Sequence, residues 1–382
     1  MAVTKEEVLA LHKRRTGLLS IQSEFHIKDK KDLGMAYTPG VADVCKQISA
    51  HEEEADIYTM KGKMLAVITD GSAVLGLGNI GPKAGLPVVE GKSLIYKELA
   101  GVNAIPLCIN QVGAQNIVES IKNLAGSFGG IHLEDIKAPD CFIIEEQLKK
   151  ELNIPVYHDD QHGTAIAVLA ALYNASKVVG KSFDSLKVVI NGAGASGIAT
   201  AKLLRKAGIR SLILVDVNGA LVAGDQQLND AQQEIAQVTN SEKKSGSLSE
   251  IIADQDVFIG LSVANSLTKE MVERMAEDAI IFALANPRPE ILPEDAYAGG
   301  AKIVATGGSN YPNQINNILV FPGLFKGLLM AKATDLTDEL KIIVAKQIAA
   351  MVQKPVVDRI IPGIFDGGIV ELVSKVVYDS LK

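Results

Sequence analysis

Between residues 186 and 216 the chain holds a pattern that few folds accommodate. An apolar run, LKVVIN (186–191), leads into Gly192-Ala-Gly194-Ala-Ser-Gly197, and the stretch IATAKLLRKAG (198–208) has helical character. A second apolar run, SLILVD, then ends in an acid at Asp216. Strand, glycine turn, helix, strand and acid in that order form a dinucleotide-binding βαβ unit. Gly192 permits the tight turn, Gly194 lets a pyrophosphate reach the backbone, and Gly197 allows helix and strand to pack closely. The helix start, with Ala195 and Ser196, offers unpaired N–H groups and the positive end of a dipole to the phosphates. Asp216 accepts hydrogen bonds from both ribose hydroxyls and repels a 2′-phosphate. No Lys or Arg lies between Asp216 and Asp225 to hold one. The expected cofactor is therefore NAD rather than NADP. A similar triplet, Gly76-Leu-Gly78-Asn-Ile-Gly81, is followed by Pro82, Gly85 and Pro87, which oppose a long helix. That triplet is expected to form a tight loop where the backbone comes close to another segment.

The rest of the chain supports an α/β architecture. MLAVITDG (64–71), VNAIPLCIN (102–110) and NIPVYHDD (153–160) resemble buried strands ending in polar residues, with helical stretches such as 116–125 between them. Thr4 with Glu7 marks a helix start, and 163–180 is a helix apolar on nearly every side. Leu340, Ile343, Val344, Ile348 and Met351 share helical spacing, and the tract 241–247 is expected to be a mobile surface loop. At 382 residues, more than one domain is expected. The division is an N-terminal α/β catalytic domain, 1–160, and a Rossmann-type doubly wound NAD-binding domain, 161–382, with C-terminal helices docking back onto the body. A net charge of −7 argues against nucleic acid as a ligand. There is no run of apolar residues long enough to span a membrane, and the N-terminal segment has no secretory core. Cys45, Cys108 and Cys141 form no paired framework, which fits reduced thiols and a cytoplasmic setting.

Two acidic doublets fall where parallel sheets bind ligands, at the carboxyl ends of strands: Glu134-Asp135 and Asp159-Asp160. Carboxylates without cysteine partners suit a hard divalent ion, Mg²⁺ or Mn²⁺. Taken singly, each doublet also suits a solvated turn or a helix cap. His158 and His162 flank the second doublet. A helix starting only near Gly163 would keep their imidazoles off one face, so zinc is discounted and each ring orients the loop or packs. Lys92 in VVEGKSLIY and Tyr37 in GMAYTPG are candidates for proton transfer, with burial lowering the lysine's hold on its proton. On local sequence alone they also fit a surface lysine and a core tyrosine. Asn286 in ANPRPE and Asn316-Asn317 offer neutral donors for a carboxylate, although amides in such loops often simply form turns.

Together these segments resemble the malic enzymes, almost end to end and in the family's order. The matching stretches are LGMAYTPGVADVCK (33–46), TDGSAVLGLGNIGPKAGLPVVEGK (69–92), FGGIHLEDIKAPDCF (128–142), VYHDDQHGTAIA (156–167), VINGAGASGIA (189–199), ALANPRPEI (283–291) and TGGSNYPNQINN (306–317). The length resembles the short bacterial, NAD-dependent form. The resemblance implies oxidative decarboxylation of malate to pyruvate. Lys92 would take the C2 hydroxyl proton and Tyr37 would protonate C3, with Asp159, beside the metal ligands, completing the catalytic set. It also implies Glu134, Asp135 and Asp160 as ligands to the metal, Asn286 and Asn317 on the substrate carboxylate, Asn286 against the cofactor as well, and a homodimer. Alternatives are a family member acting as an oxaloacetate decarboxylase with little redox turnover, or a non-catalytic NAD-sensing protein. Three positions depart from the family pattern. Ser72-Ala73 replace an Arg of animal and plant members, Gly308 and Asn310 replace the Arg and Asp of TGRSDYPNQ, and Arg288 is gained.

Overall fold

The computed structural model describes residues 4–74 and 76–382; the first three residues of the N-terminal segment and Leu75, in the first glycine-rich loop, lie outside the described residues. The chain opens with α1 (Lys5–Arg15), α2 (Lys30–Ala36), α3 (Val41–Ala50) and α4 (Ala55–Tyr58). Thr4 caps α1 as the sequence indicates: its hydroxyl accepts from the Glu7 N–H, and Glu7 returns a carboxylate to the Thr4 N–H at 2.8 Å. None of residues 4–63 is buried, although the segment carries Leu9, Ile21, Phe25, Ile27, Met35 and Tyr58.

The first sheet is built from β1 (Met64–Thr69), α5 (Pro82–Ile95), β2 (Asn103–Cys108), α6 (Ala114–Ala125), β3 (Gly130–Glu134), α7 (Asp140–Glu151) and β4 (Val156–His158). Its four strands are parallel in the order β2-β1-β3-β4. Every residue of β1 and β3 is buried, as expected of strands covered on both faces. The edge strand β2 contains Pro106. The chain leaves β1 for β2 on one side and reaches β3 on the other, so a crevice opens between the ends of β1 and β3.

The helix α5 overturns the expectation that Pro82 and Pro87 would prevent one. Pro82 occupies the first helical position, where the missing N–H has no intrahelical partner to lose. Pro87 removes a single later bond, and burial of Gly85, Val89 and Ser93 on the sheet side outweighs that loss. The expected close approach at the preceding loop is present. Gly76 has φ +75°, and a Cβ there would lie 2.4 Å from the Asn286 carbonyl oxygen.

The long helix α8 (Asp159–Val178) leads to the second sheet. Its interior is apolar on nearly every side, but it begins at Asp159 rather than near Gly163, so the second acidic doublet forms its first turn. The second half then runs β5 (Lys187–Asn191), α9 (Ala195–Ala207), β6 (Ser211–Asp216), β7 (Gly219–Ala220), α10 (Asp230–Val238), α11 (Leu248–Ile251), β8 (Val257–Gly260), α12 (Lys269–Val272), β9 (Ile280–Ala283), α13 (Pro293–Ala298) and β10 (Ile303–Thr306). The strand order is β10-β9-β8-β5-β6-β7, parallel except for the two-residue β7. This is the doubly wound arrangement, with its switch point between β5 and β8. The tract 241–247 lies mostly exposed, with the Gly246 carbonyl accepting from Ala220 N–H.

The C-terminal helices α14 (Phe321–Ala331), α15 (Asp338–Ala350) and α16 (Ile369–Ser380) dock back. Leu340, Val344 and Ile348 are buried, and Asn174 of α8 donates to the carbonyls of Ala349 and Ile360 at 2.8 and 2.9 Å. Ile343, on the same helix, faces outward. The first turns of α14 insert Phe321 and Phe325 among Tyr96, His132 and Tyr157 of the first sheet layer. Phe325 is fully buried there. Phe325→Ala should therefore destabilise the fold by about 3–5 kcal/mol, measured by denaturant unfolding. A cost below about 1 kcal/mol would show that α14 is not integral to this core.

Candidate active site

Parallel pairing of β3 with β1 and β4 sets Glu134 and the start of α8 side by side at the carboxyl ends of the strands. Lys92, on α5, reaches into this crevice with its side chain 12% exposed. Its ammonium donates to the fully buried Asp159 carboxylate, lies 3.2 Å from Glu134 Oε1 and sits 4.6 Å over the Phe321 ring. Tyr157 donates its hydroxyl to the other Asp159 oxygen at 2.6 Å. The space beside Asp159 admits only glycine at 163, where a Cβ would meet Asp159 Oδ1 at 2.2 Å and Asn317 Cβ at 2.9 Å.

Carboxylate oxygens of Glu134, Asp135 and Asp160 lie within 4.8 Å of one another. Asp160 accepts from the Asp135 backbone N–H at 2.9 Å, and Asp135 adopts the left-handed region (φ 54°), which turns it toward the same cleft. A second group, His132, Glu134 and Asp159, meets the same limit, but the Lys92 ammonium already lies between its two acids. An all-oxygen donor set, with Glu134 and Asp135 buried and Asp160 partly so, fits Mg²⁺ or Mn²⁺.

The electrostatics follow from this packing. Burial pushes Glu134 up to about 7, with Lys92 opposing and Asp159 reinforcing. Burial likewise raises Asp160 to about 6, and the neighbouring Glu134 adds to it. Burial works against the Lys92 charge, but Asp159 and Glu134 outweigh it and hold the lysine above its ordinary pKa. Burial alone was expected to loosen that proton; the two carboxylates reverse the expectation. Lys92 is therefore protonated in the metal-free site.

The histidines flanking the second doublet do not form a metal pair. With α8 starting at Asp159, His158 directly precedes the helix and His162 lies in its first turn. His162 Nε2 is 2.7 Å from Glu145 Oε1, while His158 is fully buried with Nε2 3.5 Å from Asp160 Oδ2. Burial keeps His162 low, at about 4. The zinc reading thus fails because the two rings take different partners, not because the helix starts late.

At the second sheet, Gly192 has φ +121° and a Cβ there would lie 2.4 Å from the Leu261 carbonyl oxygen, while one at Gly197 would lie 1.7 Å from the Gly192 carbonyl oxygen. Gly194 caps α9, and a Cβ on it would point into open space. That opening, before the N–H groups of Ala195, Ser196 and Gly197, fits a pyrophosphate. The helix starts three residues earlier than the sequence suggested. Asp216 ends β6 half-buried and accepts from Asn218 N–H at 2.8 Å.

The glycine-rich loop of the first sheet meets the loops of the second at Asn286, which also faces Gly307: a Cβ on Gly307 would lie 2.6 Å from Asn286 Nδ2. Asn317 lies against Gly163. Ser72 is buried, donates its hydroxyl to Asp70 at 2.5 Å and accepts from Lys137 N–H. Arg288 is exposed, with no salt bridge among the described residues. Tyr37 caps α2, 66% exposed, and no hydrogen bond or ring contact among the described residues joins it to Lys92.

Sequence reasoning missed three buried anchors. Glu145, on α7, pairs with Lys149 of its own helix (2.7 Å) and gathers Gln161 Nε2 (2.9 Å) and His162 from the start of α8. Glu290 accepts from Ser262 and Ala285 N–H, pinning the loops after β8 and β9. His132 touches Glu134. Two local signals were available: the i, i+2 spacing of His132 and Glu134 on one face of β3, and the i, i+4 spacing of Glu145 and Lys149 on α7.

A cofactor cradle on one sheet and a lysine–carboxylate cleft on the other define a dinucleotide-binding α/β enzyme. Residues 161–378 match the family described as "Malic enzyme, NAD binding domain", and residues 18–116 match "Malic enzyme, N-terminal domain". The chain is 53% identical to the bifunctional malic/malolactic enzyme of Bacillus subtilis, covering 98% of this chain and 92% of that protein. It is 48% identical to the NAD-dependent malic enzyme of Geobacillus stearothermophilus, covering 95% and 76%. The crystal structure of the NAD-dependent malic enzyme of Thermotoga maritima superposes with a TM-score of 0.94 at 42% identity, covering 99% of each chain. The chain belongs to the malic enzyme family.

Proposed function

We propose that this protein oxidatively decarboxylates (S)-malate to pyruvate and CO₂ with reduction of NAD⁺. The observation that carries the reading is the Lys92 ammonium set between Asp159 and Glu134 beside the convergent oxygens of Glu134, Asp135 and Asp160. Residues 1–160 form the catalytic half and 161–382, with the C-terminal helices, the NAD half. Glu134, Asp135 and Asp160 would hold Mg²⁺ or Mn²⁺, and Gly192, Gly194, Ala195, Ser196, Gly197, Asp216 and Asn286 would hold NAD. When bound, the ion supplies a Lewis acid and NAD⁺ a hydride acceptor. Lys92 accepts the proton of the C2 hydroxyl. For this it must first release its own proton to solvent, and a divalent charge held by the surrounding carboxylates would weaken its hold on that proton. Asp159 keeps Lys92 aimed, Asn286 and Asn317 bind the substrate carboxylate, and Tyr37 protonates C3.

Tyr37 performs that step from a second copy of the chain. Residues 4–63 bury nothing within one chain yet carry a broad apolar surface, so a homodimer covers it and brings Tyr37 to the partner's cleft. Mixing inactive Tyr37→Phe and Lys92→Ala chains should then restore about one quarter of parental activity, since half the dimers are hybrids with one intact site each. A mixture that stays inactive after subunit exchange places the tyrosine elsewhere.

The direct test is NADH formation from malate, Mn²⁺ and NAD⁺, followed at 340 nm. Oxaloacetate consumption with no NADH from malate would favour the decarboxylase alternative. The Bacillus subtilis relative's name supports a second reading, malolactic activity. In it the NADH formed reduces the pyruvate before release, yielding lactate and CO₂ with no net change in NAD. Lactate appearing at the rate of malate loss, with absorbance flat, would establish it.

A further inference from the structure

His132 lies two residues before Glu134 on β3 and is completely buried. Its Nε2 is 2.7 Å from Glu134 Oε2 and its Nδ1 is 2.8 Å from the Tyr96 hydroxyl. The ring is boxed by aromatic neighbours: Tyr96 and Tyr157 at 5.6 Å, Phe321 at 5.7 Å and Phe325 at 6.1 Å between centroids. It cannot swing without displacing at least one of them. Tyr96 is itself fully buried, at the head of a π-helical turn, Tyr96–Ala100, that continues α5.

With a cation in the cleft Glu134 is ionised and only accepts hydrogen bonds, so the His132 proton then belongs on Nε2. Nδ1 is then an acceptor, which the Tyr96 O–H satisfies. Donation runs one way, from Tyr96 to His132 to Glu134, and ends at the acid whose other oxygen lies 3.2 Å from Lys92. We infer that His132, fixed in one tautomer by Tyr96, is a positioning residue that holds one Glu134 oxygen and thereby turns the other toward the cation cleft. This rests on the reading above that Glu134 is a metal ligand. Outer-shell partners of this kind set the orientation and basicity of a ligand.

The experiment titrates Mn²⁺ into the full-length, metal-free protein and follows free Mn²⁺ by electron paramagnetic resonance. His132→Leu keeps an apolar filler and removes the donor, so affinity should fall about 10–100-fold. His132→Gln, whose amide reaches nearly as far, should recover most of the loss, and NAD⁺ binding by calorimetry should be unchanged in both variants. Tyr96→Phe should cost less than His132→Leu. In ¹⁵N spectra of histidine-labelled parent protein saturated with Mg²⁺, where Glu134 is ionised, His132 should carry its proton on Nε2, with only six histidines to resolve. His132→Leu binding Mn²⁺ as tightly as the parent, or a proton found on Nδ1, overturns the inference. If His132→Leu does not fold, the parent's tautomer and the Gln variant decide alone. Glu134→Gln separates the two levels. If it loses Mn²⁺ while His132→Leu does not, only the positioning role falls; if Glu134→Gln binds normally, the ligand reading fails, and this inference with it.

Discussion

Lys92→Ala should lower malate-dependent NADH formation by about 10²–10⁴-fold, the range contributed by a positioned general base. The effect belongs to the chemical step, so kcat should fall with little change in the KM for NAD⁺, whose cradle lies on the other sheet. The substitution also leaves Asp159 and Glu134 buried without their cation, and breaking such a pair costs about 3–5 kcal/mol. The assay must therefore be run with Mn²⁺ present and with folding checked by NAD⁺ binding. Partial rescue by an added primary amine would assign the loss to the missing base rather than to structural damage. Asp159→Asn makes the converse case. It removes the largest attraction on the Lys92 proton, so the acid limb of the pH–rate profile should move to lower pH. An unmoved limb would mean that this limb reports another group.

Asp160→Asn should abolish metal-dependent activity, with a loss of Mn²⁺ affinity beyond the roughly 10–100-fold of an outer-shell change. Mn²⁺ titration by calorimetry measures it directly. In the parent, affinity should also rise with pH between about 6 and about 7, because Asp160 and Glu134 shed protons in that interval. Stability moves the opposite way. Both acids have raised pKa values in the folded state, so the metal-free native protein binds more protons than the unfolded chain from about 4 up to about 7. Its stability accordingly falls as pH rises through that window. In chelator at neutral pH, Asp160→Asn should melt above the parent; with Mn²⁺ the order should reverse. A variant that melts below the parent in chelator would show that the acidic cluster does not strain the metal-free fold.

Local backbone chemistry was legible where it depends on neighbours in sequence. Gly192 and Asp216 sit at the turn and the strand end that the sequence indicates, because these follow one another within thirty residues, while Gly197 falls inside α9. The doublets Glu134-Asp135 and Asp159-Asp160 could be read as metal-type acids and the resemblance singled out Glu134, Asp135 and Asp160, but their convergence depends on β3 lying between β1 and β4, a long-range choice of strand order. The same reason hid Glu145 and Phe321, whose partners are distant in sequence or belong to other elements. Pro82 and Pro87 misled because propensity was weighed without the apolar face that α5 buries. The proton affinity of Lys92 went astray similarly: burial could be anticipated, whereas two acids from other segments could not.

The outermost strands of both sheets have a further consequence. β2 interrupts its free edge with Pro106, β4 is three residues long and β7 only two, while beyond β10 a bridge from Thr306 to Gln314 covers part of the last edge. None offers a long flat row of backbone groups on which a foreign strand could template itself. A partly opened molecule is thereby guarded against fibril-like stacking.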